Sequence, residues 1–456
     1  MAPAAAARIA PLPSGPRGHG LLGSLGDLNR DQLGFYARCA HEHGDVVPVR
    51  LGPSRCLLIY HPDAIEAVLV VRSRDFIKSR GVRVLRGLIG DGLVVSEGEL
   101  WLRQRRLMQP AFHRQRVAAY GDVMAASAAR QAAGWQDGAV LDIHDEMMAV
   151  TRAVVAKTLF DADVSNEARA IGDAAETATE FFGRRMRSLL QLVPLWFPTP
   201  ANVRARRAIR RLDQLVYQII ADRRRSAQDR GDLLSILLQA RDVDDGSRMT
   251  DQVVRDEVLT LFLAGHETTA GALSWSLVAP RPAPGGGGAP RRRAGRGPRR
   301  ASAHGGRSAG PALHRDGRDG VHAALPPAYA LGRQAARATE VAGHPIAPGV
   351  IVIMPTWVVH RDARWYDEPE RFRPERWADD AARRLPRFAY FPFGGGPRQC
   401  IGNTFATMEA VLILAAIAQR FRLTLVPGPP VEPIPYITLR PEPGIRVRLS
   451  VADWRN

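Results

Sequence analysis

The pattern of apolar and polar positions divides the chain into a long helical part with short strand-forming runs on either side. From about residue 98 to 280, apolar residues recur at spacings of three and four, which predicts helices. The other predicted elements are helices at 31–43, after His61 and at 403–421, and strands at 46–50, 56–60, 350–354, 423–425 and 437–439. We expect one domain over residues 1–456, mainly α with minor β structure: a helical domain plus a small N-terminal β-rich region.

Composition narrows the class of protein further. The 456 residues are 45% hydrophobic and 24% charged, which is typical of a globular chain and excludes wholly disordered or collagen-like ones. Three cysteines, Cys39, Cys56 and Cys400, argue against a disulfide framework and fit a reducing compartment. There is no run of 18 apolar residues, and the apolar stretch at the N-terminus is too short for a signal peptide. We therefore expect a cytoplasmic protein without a membrane anchor.

One stretch, residues 281–324, does not fit the rest of the chain. It holds 10 Arg, 11 Gly, 5 Pro and 9 Ala, and it supplies +8 of the formal net charge of +17. It has no apolar periodicity and too few apolar side chains to bury a core. Taken literally, it is a disordered basic linker or a nucleic-acid-binding arm.

The most specific chemical signal is the segment that leads to Cys400. The sequence from Phe393 to Gly402 reads Phe-Gly-Gly-Gly-Pro-Arg-Gln-Cys-Ile-Gly, immediately before the apolar helix at 403–421. Glycines allow close approach of the backbone to a flat ligand, and free N–H groups at a helix start stabilise a thiolate. Such a thiolate can ligate haem iron. A buried structural cysteine is the ordinary alternative, but it does not explain the glycines or Arg398.

A second signal lies inside a long apolar helix. Ala264 and Gly265 are small enough to leave room for a ligand against the helix, and Glu267 and Thr268 follow within one turn. An acid next to an alcohol in mid-helix is suited to proton relay. The alternative is a polar face of a surface helix, which is equally good for this segment in isolation.

Together these segments resemble the cytochrome P450 family. The pattern Phe-x-x-Gly-x-Arg-x-Cys-x-Gly at 393–402 carries the resemblance, and Ala264–Thr269 and 372–377 agree with it. The resemblance covers most of the chain apart from 281–324. It implies the cytochrome P450 fold, haem b as cofactor with Cys400 as its axial iron ligand, O2 as co-substrate, and Glu267 and Thr268 as catalytic residues.

The resemblance also implies how the haem would be held. Trp101 and Arg105 are four residues apart on one helix face, and in the family such a pair binds a haem propionate. A solvated arginine run at 103–106 is the alternative. Arg398 offers the same propionates a planar fork suited to carboxylates, and Arg333 is a further candidate. Phe393, Gly402, Ala264 and Gly265 complete the expected cofactor-binding set.

The family's Glu-x-x-Arg helix, whose pair Arg376 should join, is missing, because residues 281–324 contain no Glu. The motifs on either side nevertheless keep the family's spacing. Codons read one base later permit Glu-Ser-Met-Arg-Leu over 320–324, just before Pro326-Pro327, as the family pattern requires. We therefore hypothesise that about 278–324 is translated out of frame, and on this hypothesis we do not expect a nucleic-acid-binding arm.

The implied reaction inserts one oxygen atom of O2 into a small apolar substrate. Because no flavin or iron–sulfur motif is present, two electrons must come from outside, and the resemblance implies a ferredoxin or flavoprotein reductase that supplies them from NAD(P)H. Two alternatives stay open: a peroxide-driven haem-thiolate enzyme, and a haem-free, non-catalytic remnant without the Glu-x-x-Arg pair. Substrate choice is expected to depend on residues 80–97, 176–197, 329–331 and 436–438.

Overall fold

The computed structural model describes residues 13–161, 166–186, 193–226, 229–278, 325–371, 376–377 and 383–452. Helices dominate these residues, and none of them is long and apolar enough to cross a membrane. The α-helices are α1 Leu25–Arg30, α2 Gln32–His43, α3 Pro62–Glu66, α4 Arg80–Arg83, α5 Arg86–Ile89, α6 Gly98–Met108, α7 Arg114–Ala119, α8 Gly121–Ala133, α9 Ile143–Phe160, α10 Asn166–Met186, α11 Pro200–Ser226, α12 Leu233–Gln239, α13 Asp251–Val278, α14 Thr356–Val359 and α15 Asn403–Arg420.

Helix α13, with 28 residues, is the central element of the helical part. Apolar side chains surround it on most sides, as expected of a helix buried within a larger core. Helix α9 packs along it so closely that a Cβ on Gly265 would lie 3.1 Å from Cγ2 of Val155. Gly265 therefore allows the two helices to meet, in addition to leaving space on its other side.

The principal sheet has five strands in the order β1-β2-β8-β5-β3 and joins two distant parts of the chain. Strand β8 runs parallel to β2, and the other neighbours are antiparallel. Apolar side chains of this sheet and of α2 form a second core beside the helical one. Its strands are β1 Val46–Leu51, β2 Ser54–Ile59, β3 Phe76–Lys78, β5 Leu331–Ala335 and β8 Ile351–Met354.

Smaller sheets complete the fold. Strands β4, β12 and β9 form a three-stranded sheet, while β10–β11 and β6–β7 are hairpins. The three-stranded sheet packs with α8, α9 and α15 around a third core. These strands are β4 Val140–Asp142, β6 Thr339–Val341, β7 His344–Ile346, β9 Phe421–Leu425, β10 Glu432–Pro435, β11 Leu439–Glu442 and β12 Arg446–Val451.

The predicted mainly α fold with minor β structure is confirmed, with three corrections. The strand predicted at 437–439 is displaced: it begins at Leu439 as β11, and residues 436–438 form the turn between β10 and β11, where Tyr436 N–H donates to the Thr438 carbonyl at 3.0 Å. The helical stretch predicted at 98–280 is interrupted by β4, which pairs with the distant β12. The β-rich region is also not purely N-terminal, since β5 and β8 belong to its sheet. The predicted aberrant segment 281–324 lies outside the described residues.

Candidate active site

A largely apolar cavity of about 330 Å³ lies between α13 and the segment that precedes α15. Helix α13 provides one wall through residues from Thr260 to Ala272. The opposite wall consists of the loop before Cys400 and the first residues of α15. Of the residues predicted for the site, the cavity brings together Trp101, Arg105, Ala264, Gly265, Thr268, Arg333, Phe393, Arg398, Cys400 and Gly402.

The loop before Cys400 folds as its glycines require. Gly394 and Gly396 adopt φ of +70° and +65°, in the region where glycine is favoured. A Cβ on Gly396 would lie 1.9 Å from the Leu69 carbonyl oxygen, so no larger residue fits there. The Cys400 N–H donates to the Phe393 carbonyl at 3.0 Å, which closes the loop and directs the cysteine toward the cavity.

Cys400 retains solvent-accessible surface and lines the cavity. Burial raises the pKa of this thiol, while the Gly402 N–H, Arg105 and Lys78 act in the opposite direction. An N–H donor and two nearby cations are features that favour a bound thiolate. Cys39 and Cys56, by contrast, are buried in the core around the five-stranded sheet.

Four cationic side chains gather at one end of the cavity: Lys78, Arg105, Arg333 and Arg398. Arg398 pairs with Glu97 and donates to the Ser96 carbonyl at 2.8 Å. Its guanidinium carbon lies 4.0 Å from the centroid of the Trp101 ring, so Trp101 supports Arg398 by stacking. Arg105 donates to the Gln399 carbonyl at 3.0 Å.

Burial and mutual repulsion act together on the pKa values of this cluster. Burial lowers the pKa of Lys78 well below its usual value, and Arg333 and Arg398 lower it further. Burial and Arg398 likewise lower the pKa of Arg333 to about 10. Glu97 is the carboxylate that opposes these effects. Four cations facing one carboxylate form a site that favours a further anion.

The residues present fit haem. The cluster matches two propionate carboxylates in charge, and Arg105 and Arg398 can each offer two N–H donors in a fork. The glycine loop permits close approach of a flat ring, and Cys400 supplies a sulfur ligand at the cavity surface.

On the opposite side of the cavity, Thr268 places its hydroxyl at the surface of α13. The Thr268 Oγ1 donates to the Ala264 carbonyl at 2.6 Å, a bond back along the helix that fixes its orientation. Ala264 and Gly265 lie one turn earlier and leave the space that a larger side chain would fill. Thr269, which the sequence did not single out, also reaches the cavity.

The structure separates Glu267 from Thr268. Its carboxylate is buried and accepts hydrogen bonds from Thr438 at 2.7 Å and Arg440 at 2.8 Å. Glu267 is not part of the cavity lining, unlike the two residues that follow it, Thr268 and Thr269. The acid and the alcohol therefore face different surroundings in this conformation, although they are adjacent in the chain.

Arg376, predicted to join a Glu-x-x-Arg network, donates through Nη2 to the Asp367 carbonyl at 2.5 Å and the Glu368 carbonyl at 3.0 Å. Its guanidinium carbon also lies 5.6 Å from the centroid of the Tyr366 ring. The stretch in which its predicted Glu-x-x-Arg partners would fall lies outside the described residues.

Sequence reasoning missed two residues here: Lys78 of the cation cluster and Glu97, the carboxylate that pairs with Arg398. Lys78 ends β3 and Glu97 immediately precedes α6, so no shared motif connects them with Cys400. One signal was present: Lys78 and Lys157 are the only lysines in a chain that otherwise uses arginine. An isolated lysine at the end of a short strand, however, does not show what it faces.

Comparison with known proteins shows the family to which the chain belongs. The family model described as "Cytochrome P450" matches residues 13–279 and 324–449, and the chain therefore belongs to the cytochrome P450 family. The unmatched gap between these ranges nearly coincides with 281–324. Within that family, relatives named as oxygenases identify it as a cytochrome P450-type monooxygenase, a class that uses haem and O2.

Two of these relatives come from Streptomyces. The cyclooctat-9-en-7-ol 5-monooxygenase of Streptomyces melanosporofaciens is 36% identical over 426 residues, covering 90% of this chain and 88% of that protein. The pentalenene oxygenase of Streptomyces avermitilis is 33% identical over 449 residues, covering 94% and 95%. The crystal structure of the cytochrome P450DA heme domain is 24% identical, with a TM-score of 0.80 and 98% of each chain covered, and shows the same fold.

Proposed function

We propose that this monooxygenase oxidises an apolar cyclic alkene or alkenol, with haem held by Cys400 and electrons supplied by a separate redox protein. The observation that carries the proposal is the position of Cys400 at the surface of an apolar cavity whose one end is cationic. When bound, haem with a thiolate ligand supplies the oxygen-activating chemistry.

The cationic end of the cavity would bind and orient the cofactor. Arg105 and Arg398 would hold the propionates, with Lys78 and Arg333 as additional cations. Trp101 would act through Arg398, because its ring supports the guanidinium. Phe393 would fix the loop through its carbonyl, and Gly402 would stabilise the thiolate through its N–H group.

Proton delivery would take place from the α13 side. The Thr268 hydroxyl lies at the cavity and can accept a hydrogen bond there while it donates to the Ala264 carbonyl; it can donate into the cavity only after it leaves that carbonyl. Glu267 would supply protons only after its carboxylate leaves Arg440 and Thr438. We therefore assign Thr268 as the residue whose hydroxyl holds the proton at the cavity. We assign Glu267 as the group that replaces this proton after its carboxylate has moved.

The substrate class follows from the cavity and from the relatives. Between the cations and α13, the lining is apolar, with Leu93, Val94, Leu159 and Leu261 among its residues. Apolar ligands gain affinity from burial against such walls. The names of the two Streptomyces relatives denote an alkene and an alkenol, which are ligands of this kind.

Electron supply is proposed from what the sequence lacks and from the family. The printed sequence contains no recognisable flavin or iron–sulfur motif, so a ferredoxin or flavoprotein reductase would bring electrons from NAD(P)H. A turnover assay with pentalenene compares NADPH plus a ferredoxin and its reductase with hydrogen peroxide alone. Product formation with peroxide alone would contradict the proposed electron supply and would indicate a peroxide-driven enzyme.

The ligand assignment is tested by the spectrum of the reduced, CO-treated protein. We expect the red-shifted Soret band of thiolate ligation in the wild type and its loss in Cys400→Ala. Cys56→Ala, which removes a thiol in a different core, should keep the band. Persistence of the band in Cys400→Ala would mean that another residue is the ligand, and absence of haem from the purified wild type would favour a non-catalytic remnant.

A further inference from the structure

One wall of the cavity is formed by main chain that lies directly on α13. Residues 90–95, here named the wall segment, lie in the loop between α5 and α6. Leu93 and Val94 of this segment line the cavity, next to Thr260 and Leu261 of α13. The wall segment is thus a place where the shape of the cavity depends on how a loop is held.

Three consecutive side chains of α13 hold the wall segment and the residues just before it. The Arg255 Nη2 donates to the Leu88 carbonyl at 3.0 Å. Asp256 Oδ2 accepts from the Asp91 N–H at 2.9 Å, and Glu257 Oε2 accepts from the Leu93 N–H at 3.0 Å. All three α13 side chains are buried, and a hydrogen bond is electrostatically stronger in the protein interior than in water. We name these three side chains the α13 clasp.

Two glycines of the wall segment make this contact sterically feasible. Gly90 has φ of +56°, and a Cβ there would lie 2.1 Å from Asp256 Oδ1. A Cβ on Gly92 would lie 2.0 Å from the Thr260 Oγ1. A side chain at either position would therefore push the loop away from the helix.

The α13 clasp is itself fixed to neighbouring elements. Arg255 donates to Asp256 Oδ1 at 2.8 Å and through Nε to Asp213 of α11 at 2.8 Å. On the other side, Gln104 of α6 donates to the Asp91 carbonyl at 2.9 Å. The wall segment is consequently held from two helices.

We propose that Asp256 and Glu257 are positioning residues that set substrate selectivity by holding the Leu93–Val94 wall at a fixed distance from α13. Neither carboxylate lines the cavity, so both act through the backbone N–H groups of Asp91 and Leu93. The inference rests on the proposed function in that it concerns the wall for the apolar part of a substrate.

The test uses haem-loaded protein and two probes, imidazole and 1-decylimidazole. Imidazole nitrogen is a suitable ligand for iron, and only the decyl chain must contact the walls. Glu257→Met removes the acceptor at similar size, whereas Glu257→Gln keeps one. Asp251→Asn is the matched control, because Asp251 is a carboxylate on the same helix that pairs with Arg224 at 2.6 Å instead of the loop.

We expect Glu257→Met to weaken 1-decylimidazole binding about tenfold, equivalent to losing burial of about two methylene groups, with imidazole affinity unchanged. Glu257→Gln and Asp251→Asn should bind both probes like the wild type. An unchanged ratio of the two affinities in Glu257→Met would overturn the proposal. The proposal would also be overturned if Glu257→Gln lost as much affinity for 1-decylimidazole as Glu257→Met.

Amide hydrogen exchange gives a second measurement that does not depend on any probe. The Leu93 N–H should be protected in the wild type and in Glu257→Gln, and should exchange faster in Glu257→Met. If Glu257→Met does not fold, Gly92→Ala displaces the same loop and should give the same two results. Failure of pentalenene turnover in the wild type would reject the proposed substrate, while the probe ratio and the Leu93 exchange still decide the role of the α13 clasp.

Discussion

Lys78 and Arg333 occupy directly opposite positions on the antiparallel strands β3 and β5. Like charges in such a pair destabilise a sheet. The Arg333 charge accordingly adds to the effect of burial in lowering the pKa of Lys78. Both side chains line the same end of the cavity, together with Arg105 and Arg398. The arrangement costs stability in the protein alone and becomes favourable when an anion lies between the charges.

The first prediction follows from the repulsion between the paired side chains of Lys78 and Arg333. Lys78→Met should make the haem-free protein more stable, because the repulsion with Arg333 is removed. The same change should make haem dissociate about 10- to 100-fold faster, since a hydrogen bond to a charged group contributes about 1.5–3 kcal/mol. Thermal unfolding of the haem-free protein and haem transfer to an excess of apomyoglobin measure the two effects.

Lys157→Met is the control for this prediction. Lys157 is the other lysine of the chain and pairs with Asp161 at 2.7 Å, away from the cavity lining. The Lys157→Met substitution should leave the rate of haem transfer unchanged. Equal rates of haem loss in wild type and Lys78→Met would mean that the cation cluster does not serve the propionates.

Some of this site could be predicted from the sequence because its signals are local. The glycines before Cys400 act within one loop, and Trp101 and Arg105 lie on the same face of a single helix. The partners that come from distant elements could not be predicted. Lys78 meets Arg333 only through strand pairing, and Glu267 meets Arg440 only through the turn after β10. The displaced strand prediction at 437–439 has a similar cause, because the β-branched residues Ile437 and Thr438 lie in a hairpin turn and only Leu439 belongs to β11.

The second prediction concerns the hydroxyl at the cavity. Thr268→Ala should uncouple turnover: NADPH and O2 are still consumed, peroxide rises, and product per NADPH falls by about tenfold or more, as for loss of a positioned proton donor. Ser276→Ala is the matched control, because Ser276 makes the same bond back along α13, to the Ala272 carbonyl at 2.8 Å, without lining the cavity. Equal coupling in Thr268→Ala and wild type would assign Thr268 a structural role.

The third prediction is a pH dependence of stability caused by Glu257. Burial raises the pKa of this carboxyl from 4.5 to about 8. Between these two values the folded protein retains a proton that the unfolded chain releases, so the contribution of Glu257 to stability is lost as the pH rises through about 8. Glu257→Gln removes this dependence, because its amide does not titrate.

Thermal unfolding of both proteins at several pH values tests this. Glu257→Gln should gain stability relative to the wild type as the pH rises from about 5 to about 8.5. Over most of this range the wild-type carboxyl is ionised in the unfolded chain and still largely protonated in the folded protein. A difference between the two melting temperatures that stays constant over this range would show that the pKa of Glu257 is not raised.

The last prediction concerns residues 281–324, which we propose are translated out of frame. The family model matches up to residue 279 and again from 324, so similarity is lost and regained at the borders that composition alone marks. Shifted codons permit Glu over Gly320 and Arg over Ala323, at the family's distance from Pro326-Pro327. A chain with the shifted frame restored should contain more haem per mole and unfold at a higher temperature than the chain as written.

Two results would contradict the proposal: verified DNA whose shifted codons cannot encode this Glu and Arg, or equal haem content and equal melting temperature in the two chains. In either case the segment would have to be treated as a genuine part of the protein, and the pairing of Arg376 would have to be sought elsewhere in the fold.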